Sequence, residues 1–168
     1  LTAIPDCRLL DPRLIAALPA LQAITLAGGS RKGELALTLT VLEPGPDLAV
    51  TGGKPLDAAL RAGVAQIAAR FGLSRICWDG ETVYRIEPPW LAMGRARVSP
   101  PPGAFLQATP QGEAALLAAV REAVGPARRV ADLFAGCGTF ALPLAEGAEV
   151  HAVEGEAAML AALDRGWR

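Results

Sequence analysis

The sequence predicts an α/β chain in which a small mixed α+β domain precedes the opening βαβα of an open parallel sheet. Three observations carry that expectation. A period-two run, "GELALTLTV", gives way to a helical period over residues 55–71 and then to the hairpin signal "CWDGETV". The stretch "SPPPG", residues 99–103, separates two patterned regions. Beyond it, strand-like and helix-like segments alternate around a glycine loop, the chain order of a parallel sheet covered by helices.

The elements follow in order. Asp11 and Pro12 form an N-cap and first helical residue, so a short helix is expected over residues 11–18, interrupted by Pro19. Leu35, Leu37, Leu39 and Val41 alternate with Glu34, Ala36, Thr38 and Thr40, a strand ended by "EPGP"; "DLAVTGG" reads as the next strand. Leu56, Leu60, Val64, Ile67 and Phe71 share one helical face, with Gly72 placed as a C′ residue. Asp79-Gly80 suits a type I′ turn because both residues tolerate positive φ. "WLAMGRARV" reads as one more strand. After the proline run, Thr109-Pro110 starts a helix to residue 124, with Glu113 in its first turn. Then come strand "RRVADLF", loop "AGCG", helix "TFALPLAE", strand "EVHAVE" and helix "EAAMLAALDR". The division expected is residues 1–29 as a linker segment, 30–99 as a mixed α/β domain and 100–168 as the start of the sheet domain.

Composition narrows the class. With 168 residues, 52 % of them hydrophobic, the chain can build one large or two small cores. No apolar run approaches the ~20 residues of a membrane helix, and no charged-then-apolar leader opens the sequence. A net charge of −1 gives no global attraction for nucleic acid, so any such binding would need a local patch. The three cysteines, Cys7, Cys77 and Cys137, are far apart and form no CxxC pair. Sparse cysteines suit a reducing cytoplasm.

The glycine loop carries the chemistry. Gly136 and Gly138 allow a tight turn whose backbone lies close to a ligand, and the helix after them turns its free N–H groups toward it. Glu154, at the end of the next strand, can accept from two ribose hydroxyls. A nucleoside cofactor is the natural guest. The pattern "GCGTFA" fits a loose dinucleotide loop. Asp132 favours a different one: a carboxylate four residues before Gly136 repels a pyrophosphate and attracts an amine, such as that of S-adenosylmethionine. The bland alternative is that Asp132 caps a turn.

The segments "PPGAFLQATPQGEAALL", "DLFAGCGTFALPLA" and "VEG" resemble the RNA uracil-5-methyltransferases, which make 5-methyluridine in ribosomal and transfer RNA. Their pattern is a Phe-x-Gln segment, a helix, an Asp-Leu-Phe/Tyr-x-Gly-x-Gly block with a proline in its helix, and a Val-Glu pair. The resemblance is strong over residues 99–155, and it implies that the sheet is that of a Rossmann-like class I methyltransferase. It places cofactor contacts on Gln107, Phe134, Thr139 and Glu154; Asp132, Gly136 and Gly138 complete the loop on the physical argument. RNA is the implied partner and S-adenosyl-L-methionine the implied cofactor.

"DCRLLDPRL" resembles the segment carrying the fourth cysteine of a 4Fe-4S cluster in the cluster-bearing branch of that family, which implies a ligand role for Cys7. The other three ligands fall in a cysteine run that this sequence does not contain. Cys77 reads as core, and Cys137 falls on a variable family position. The family attacks uracil C6 with a thiolate and removes the C5 proton with a glutamate; the motif around that cysteine does not occur here, so no catalytic residue is assigned. The expectation is that the chain is an internal fragment whose unpaired strands invite self-association. Two alternatives are a methyltransferase with another substrate and a non-catalytic RNA- or protein-binding module.

Overall fold

A computed structural model describes residue 7, residues 9–30 and residues 33–168. It divides into two compact units, Leu1–Pro89 and Trp90–Arg168.

The first unit contains α1 (Pro12–Gly28), β1 (Ala36–Val41), β2 (Pro46–Thr51), α2 (Ala58–Phe71), β3 (Arg75–Trp78) and β4 (Glu81–Arg85). The strands form one sheet in the order β1-β2-β3-β4. Its β2–β3 pair is parallel, bridged by α2, and the other pairs are antiparallel. The expected hairpin turn is present, with φ of 45° at Asp79 and 88° at Gly80. Asp57 caps α2 through Leu60 N–H, and Gly72 ends it in the left-handed region.

α1 runs well past the expected stop at Pro19. Proline removes one helical hydrogen bond. Here Ala17, Ala20 and Ile24, on both sides of it, are buried in the core with Leu48, Val50, Val64 and Ile76. Burial of that face outweighs the lost bond. Residues 12–28 are therefore part of this unit's core rather than a linker.

Two details fix this core. Arg75 donates to Asp47 through Nε and Nη2, both at 2.7 Å, and both side chains are buried. They are register partners on β3 and β2, so the pair crosses the parallel ladder. Trp78 is the largest fully buried side chain. Its ring packs against Gly28 and Gly53 so closely that neither has room for a Cβ. Trp78 Nε1 donates to the Lys54 carbonyl at 3.1 Å, and Lys54 N–H donates to the Gly28 carbonyl at 2.9 Å.

The second unit begins ten residues before the expected boundary. The segment read as one strand is a hairpin, β5 (Leu91–Met93) and β6 (Ala96–Val98), turned at Gly94 with φ of 59°. Met93, Ala96 and Val98 bury one face of it with Cys137, Leu142, Met159 and Ala162, which ties the hairpin to the second core. α3 (Pro110–Val124) is capped by Thr109. β7 (Arg129–Leu133), α4 (Ala141–Leu144), β8 (Glu149–Val153) and α5 (Ala157–Trp167) complete the βαβα run. β7 and β8 pair in parallel, with Asp132 opposite Ala152 and Leu133 opposite Val153. α4 is a single turn, shorter than the expected helix, and Pro143 sits in it, where its missing N–H has no helical partner to lose. α3 buries none of its residues, and Leu133, Val153 and Leu116 are exposed.

Candidate functional site

The site lies where β7 and β8 end. Parallel strands bring Leu133 and Val153 level, and the chain then leaves β7 through a loop with three positive φ values: 62° at Phe134, 58° at Gly136 and 106° at Gly138. Ala135 N–H donates to the Val153 carbonyl at 3.0 Å, so the loop folds back onto the end of β8. Gly138 N–H donates to Ala135 carbonyl and Leu142 N–H to Gly138 carbonyl, both at 3.0 Å, which closes the turn into α4.

Glu154 is tied into this loop. Its Oε2 accepts Gly136 N–H and its Oε1 accepts Glu156 N–H, both at 2.8 Å. These N–H donors hold its carboxyl below the usual glutamate range. Each oxygen keeps a further lone pair, so the group is charged, oriented and able to take two more donors.

Asp132 is placed differently. Its Oδ2 is buried with no hydrogen-bond partner among the described residues. Burial pushes its carboxyl up, against the pull of the Ala141 N–H. An unpartnered buried carboxylate oxygen is costly unless a donor or cation arrives.

The structure thus gathers Asp132, Gly136, Gly138, Thr139 and Glu154 on one loop and two strand ends. Phe134, beside them, is 91 % exposed with a left-handed backbone that phenylalanine rarely adopts. Gln107 lies in the segment before α3, half-buried, and forms no hydrogen bond with the loop. Its neighbour Leu106 packs against the core that contains Cys137 and Leu142. Cys137 is buried, and that burial pushes its thiol up to about 11, away from the thiolate form of a reactive cysteine. Glu113, in the first turn of α3, adds to that shift through its charge, and burial raises its own carboxyl. Sequence reasoning placed Glu113 only as a dipole partner; nothing in the helical pattern signals its closeness to Cys137.

Cys7 is half-exposed, and all three cysteines are free. Among the described residues no three His, Cys, Asp or Glu side chains converge as a metal site.

No family model matches the sequence. An uncharacterized RNA methyltransferase of Brucella suis is 44 % identical over 167 residues, covering 98 % of this chain and 40 % of its own length. The 23S rRNA (uracil(1939)-C(5))-methyltransferase of Cronobacter sakazakii is 33 % identical over 162 residues, covering 92 % and 37 %. The chain spans about 40 % of the length of the curated relatives it matches. Among solved structures, the Pyrococcus abyssi tRNA (uracil-54, C5)-methyltransferase in complex with S-adenosyl-L-homocysteine superposes with a TM-score of 0.75 at 16 % identity, over 99 % of this chain and 46 % of that one. The fold is shared across that distance. Over nearly its whole length the chain is thus similar to one part of RNA methyltransferases, a 23S rRNA uracil-C5 methyltransferase among them.

Proposed function

We propose that this chain forms the S-adenosyl-L-methionine-binding part of an enzyme that methylates uridine C5 in ribosomal or transfer RNA. The observation that carries the reading is the buried, unpartnered Oδ2 of Asp132 beside a loop already tied to Glu154. When bound, the cofactor supplies an electrophilic methyl group on a sulfonium. The chain's residues would hold it. Asp132 offers its free oxygen to the ammonium of the amino-acid moiety. Gly136 and Gly138 turn the backbone through positive φ, Gly138 leaving room for Leu142 and Leu163 behind the loop, and Glu154 accepts from the ribose hydroxyls. Thr139, Phe134 and Gln107 would line the same guest. The nucleophile and base for uracil are not assigned to any residue here; Cys137 is buried and is offered for neither role.

A 4Fe-4S cluster needs more ligands than this sequence provides, so the residues here do not fit that group by themselves and no step runs through it. Cys7 is proposed only as one thiolate among ligands from elsewhere. The free thiols suit a reducing cytoplasm. The exposed β7–β8 face, with Leu133 and Val153, supports self-association, which sedimentation over a range of concentrations would reveal.

Calorimetric titration with S-adenosyl-L-methionine tests the site. One binding event is expected, weakened by Asp132→Ala and by Glu154→Gln. Binding indifferent to both changes would remove the loop from the reading. Transfer of a labelled methyl group to uridine-containing RNA, by a polypeptide of the relatives' length that carries this sequence, tests the activity.

A further inference from the structure

The β5–β6 hairpin carries a second surface, outside the glycine loop. Its buried face is Met93, Ala96 and Val98, so by the two-residue period Ala92 and Arg97 belong to the other side, and Arg95 is exposed in the turn. The register pairs Leu91 with Val98 and sets Trp90 diagonal to Arg97 across the strands. The Arg97 guanidinium lies 4.5 Å over the Trp90 ring. Arg95, in the turn, lies 5.7 Å over the ring of Trp167 at the end of α5. Both arginines are exposed, Trp90 is half-buried and Trp167 is 46 % exposed. Neither guanidinium forms an ion pair with a carboxylate among the described residues.

The turn that presents them is rigidly held. Arg95 N–H donates to Glu146 Oε1 at 2.9 Å. A side chain on Gly94 would run into Glu146 Oε1 and sit 3.2 Å from the Pro143 Cα. The hairpin tip is therefore seated on the segment after α4, and the arginines project from a fixed base.

We propose that this arginine–tryptophan face is a contact surface for single-stranded RNA. The proposal rests on the reading that the protein acts on RNA. Guanidinium planes stacked on indoles keep their N–H forks free for phosphates, and a base can stack on the same planes. An acidic protein segment would be drawn by the charge but would make little of the flat, half-exposed rings. In a chain of net charge −1, RNA binding needs such a local patch.

Fluorescence anisotropy with a labelled short oligouridine, at several salt concentrations, tests it. Arg97→Ala should weaken binding about tenfold. It should also reduce the salt slope by about 0.7, the signature of one lost phosphate contact on a single strand. Arg97→Lys should keep the slope and lose only part of the affinity. Arg70→Ala, which removes a cation 5.2 Å over Phe71 in the other unit, should change nothing. The proposal is overturned if Arg97→Ala and Arg95→Ala bind RNA as the parent does, or if Arg70→Ala matches their effect. It is also overturned if a polyglutamate peptide outcompetes the RNA, or if the parent ignores RNA. Parallel titration with S-adenosyl-L-methionine separates the two readings: cofactor binding without RNA binding sinks the hairpin surface alone, and RNA binding without cofactor binding sinks the loop alone.

Discussion

Glu154 Oε2 accepts the Gly136 N–H at 2.8 Å, so the end of one strand is bonded to the glycine loop leaving its neighbour. That bond, with the one from Glu156 N–H, ties the loop to the end of the second strand. Glu154→Gln should loosen it, because an amide can accept one N–H but presents its own hydrogens to the second. Cofactor affinity should fall about tenfold, as expected for losing charge-assisted bonds. The stability effect has a definite sign. The folded carboxyl titrates below its ordinary value of 4.5. The parent's advantage over the glutamine variant is thus full above that value and is lost as pH falls through the lowered one. Thermal melts of both proteins from neutral to acid pH would show the two curves converge.

Asp132 behaves in the opposite way. Burial raises its folded pKa above the ordinary 3.8, so ionising it in the folded state costs stability at neutral pH. Asp132→Asn should therefore not destabilise the protein at pH 7 and should, if anything, stabilise it slightly. The gain should vanish in acid, below 3.8, where both chains carry a neutral group. Cofactor affinity should drop in the same variant. A variant less stable at pH 7 than the parent would mean that the carboxylate has a partner and is not waiting for one.

Gly138 and Gly63 should respond oppositely to alanine. A Cβ on Gly138 would sit 2.6 Å from Leu142 Cδ1 and 3.1 Å from Leu163 Cγ, at a φ of 106°. That change should cost about 1–3 kcal/mol from overpacking and backbone strain. Gly63, within α2, has open space around it, and its replacement should add about 0.5–1 kcal/mol. Urea melts of the two variants read both numbers.

Thiol reactivity should single out Cys7. Cys137 and Cys77 are buried, and burial raises both thiols, Cys137 to about 11. An aromatic disulfide reagent near about pH 8 should titrate one of the three cysteines in the folded protein and all three in denaturant. Rapid modification of Cys137 in the folded state would show that the loop over it opens.

Much of this was legible in the sequence, for reasons that differ by element. Asp79-Gly80 and the Leu56–Phe71 face declare themselves because turn chemistry and helical period are local properties. The placement of Asp132, Gly136, Gly138 and Glu154 at two strand ends and one loop is legible because strand, glycine turn and strand follow one another in the local pattern. What escaped was set by packing. α1 continues through Pro19 because Ala20 and Ile24 are buried beyond it, and a proline rule sees only the lost bond. The hairpin at Gly94 is not legible because "AMGRA" has no recognised turn pair, and the neighbours that leave no room for a side chain there, Glu146 and Pro143, come some fifty residues later. The exposed, left-handed Phe134 was invisible to hydropathy, which assigns a phenylalanine to the core.

Trp78, Gly28 and Gly53 form a lock whose parts cannot be changed one at a time. The indole fills the space that a side chain at either glycine would need, so each glycine position is closed to every larger residue while the tryptophan stands. Shrinking the tryptophan reopens both, at the cost of a cavity and of the hydrogen bond to Lys54. Fitness effects at the three positions should thus be strongly epistatic. In a pairwise mutational scan, Gly53→Ala should be harmful alone and partly rescued by a smaller residue at 78. Variation in the end of α1, the loop before α2 and the third strand is thereby tied together, although the three positions are 25 residues or more apart in the chain.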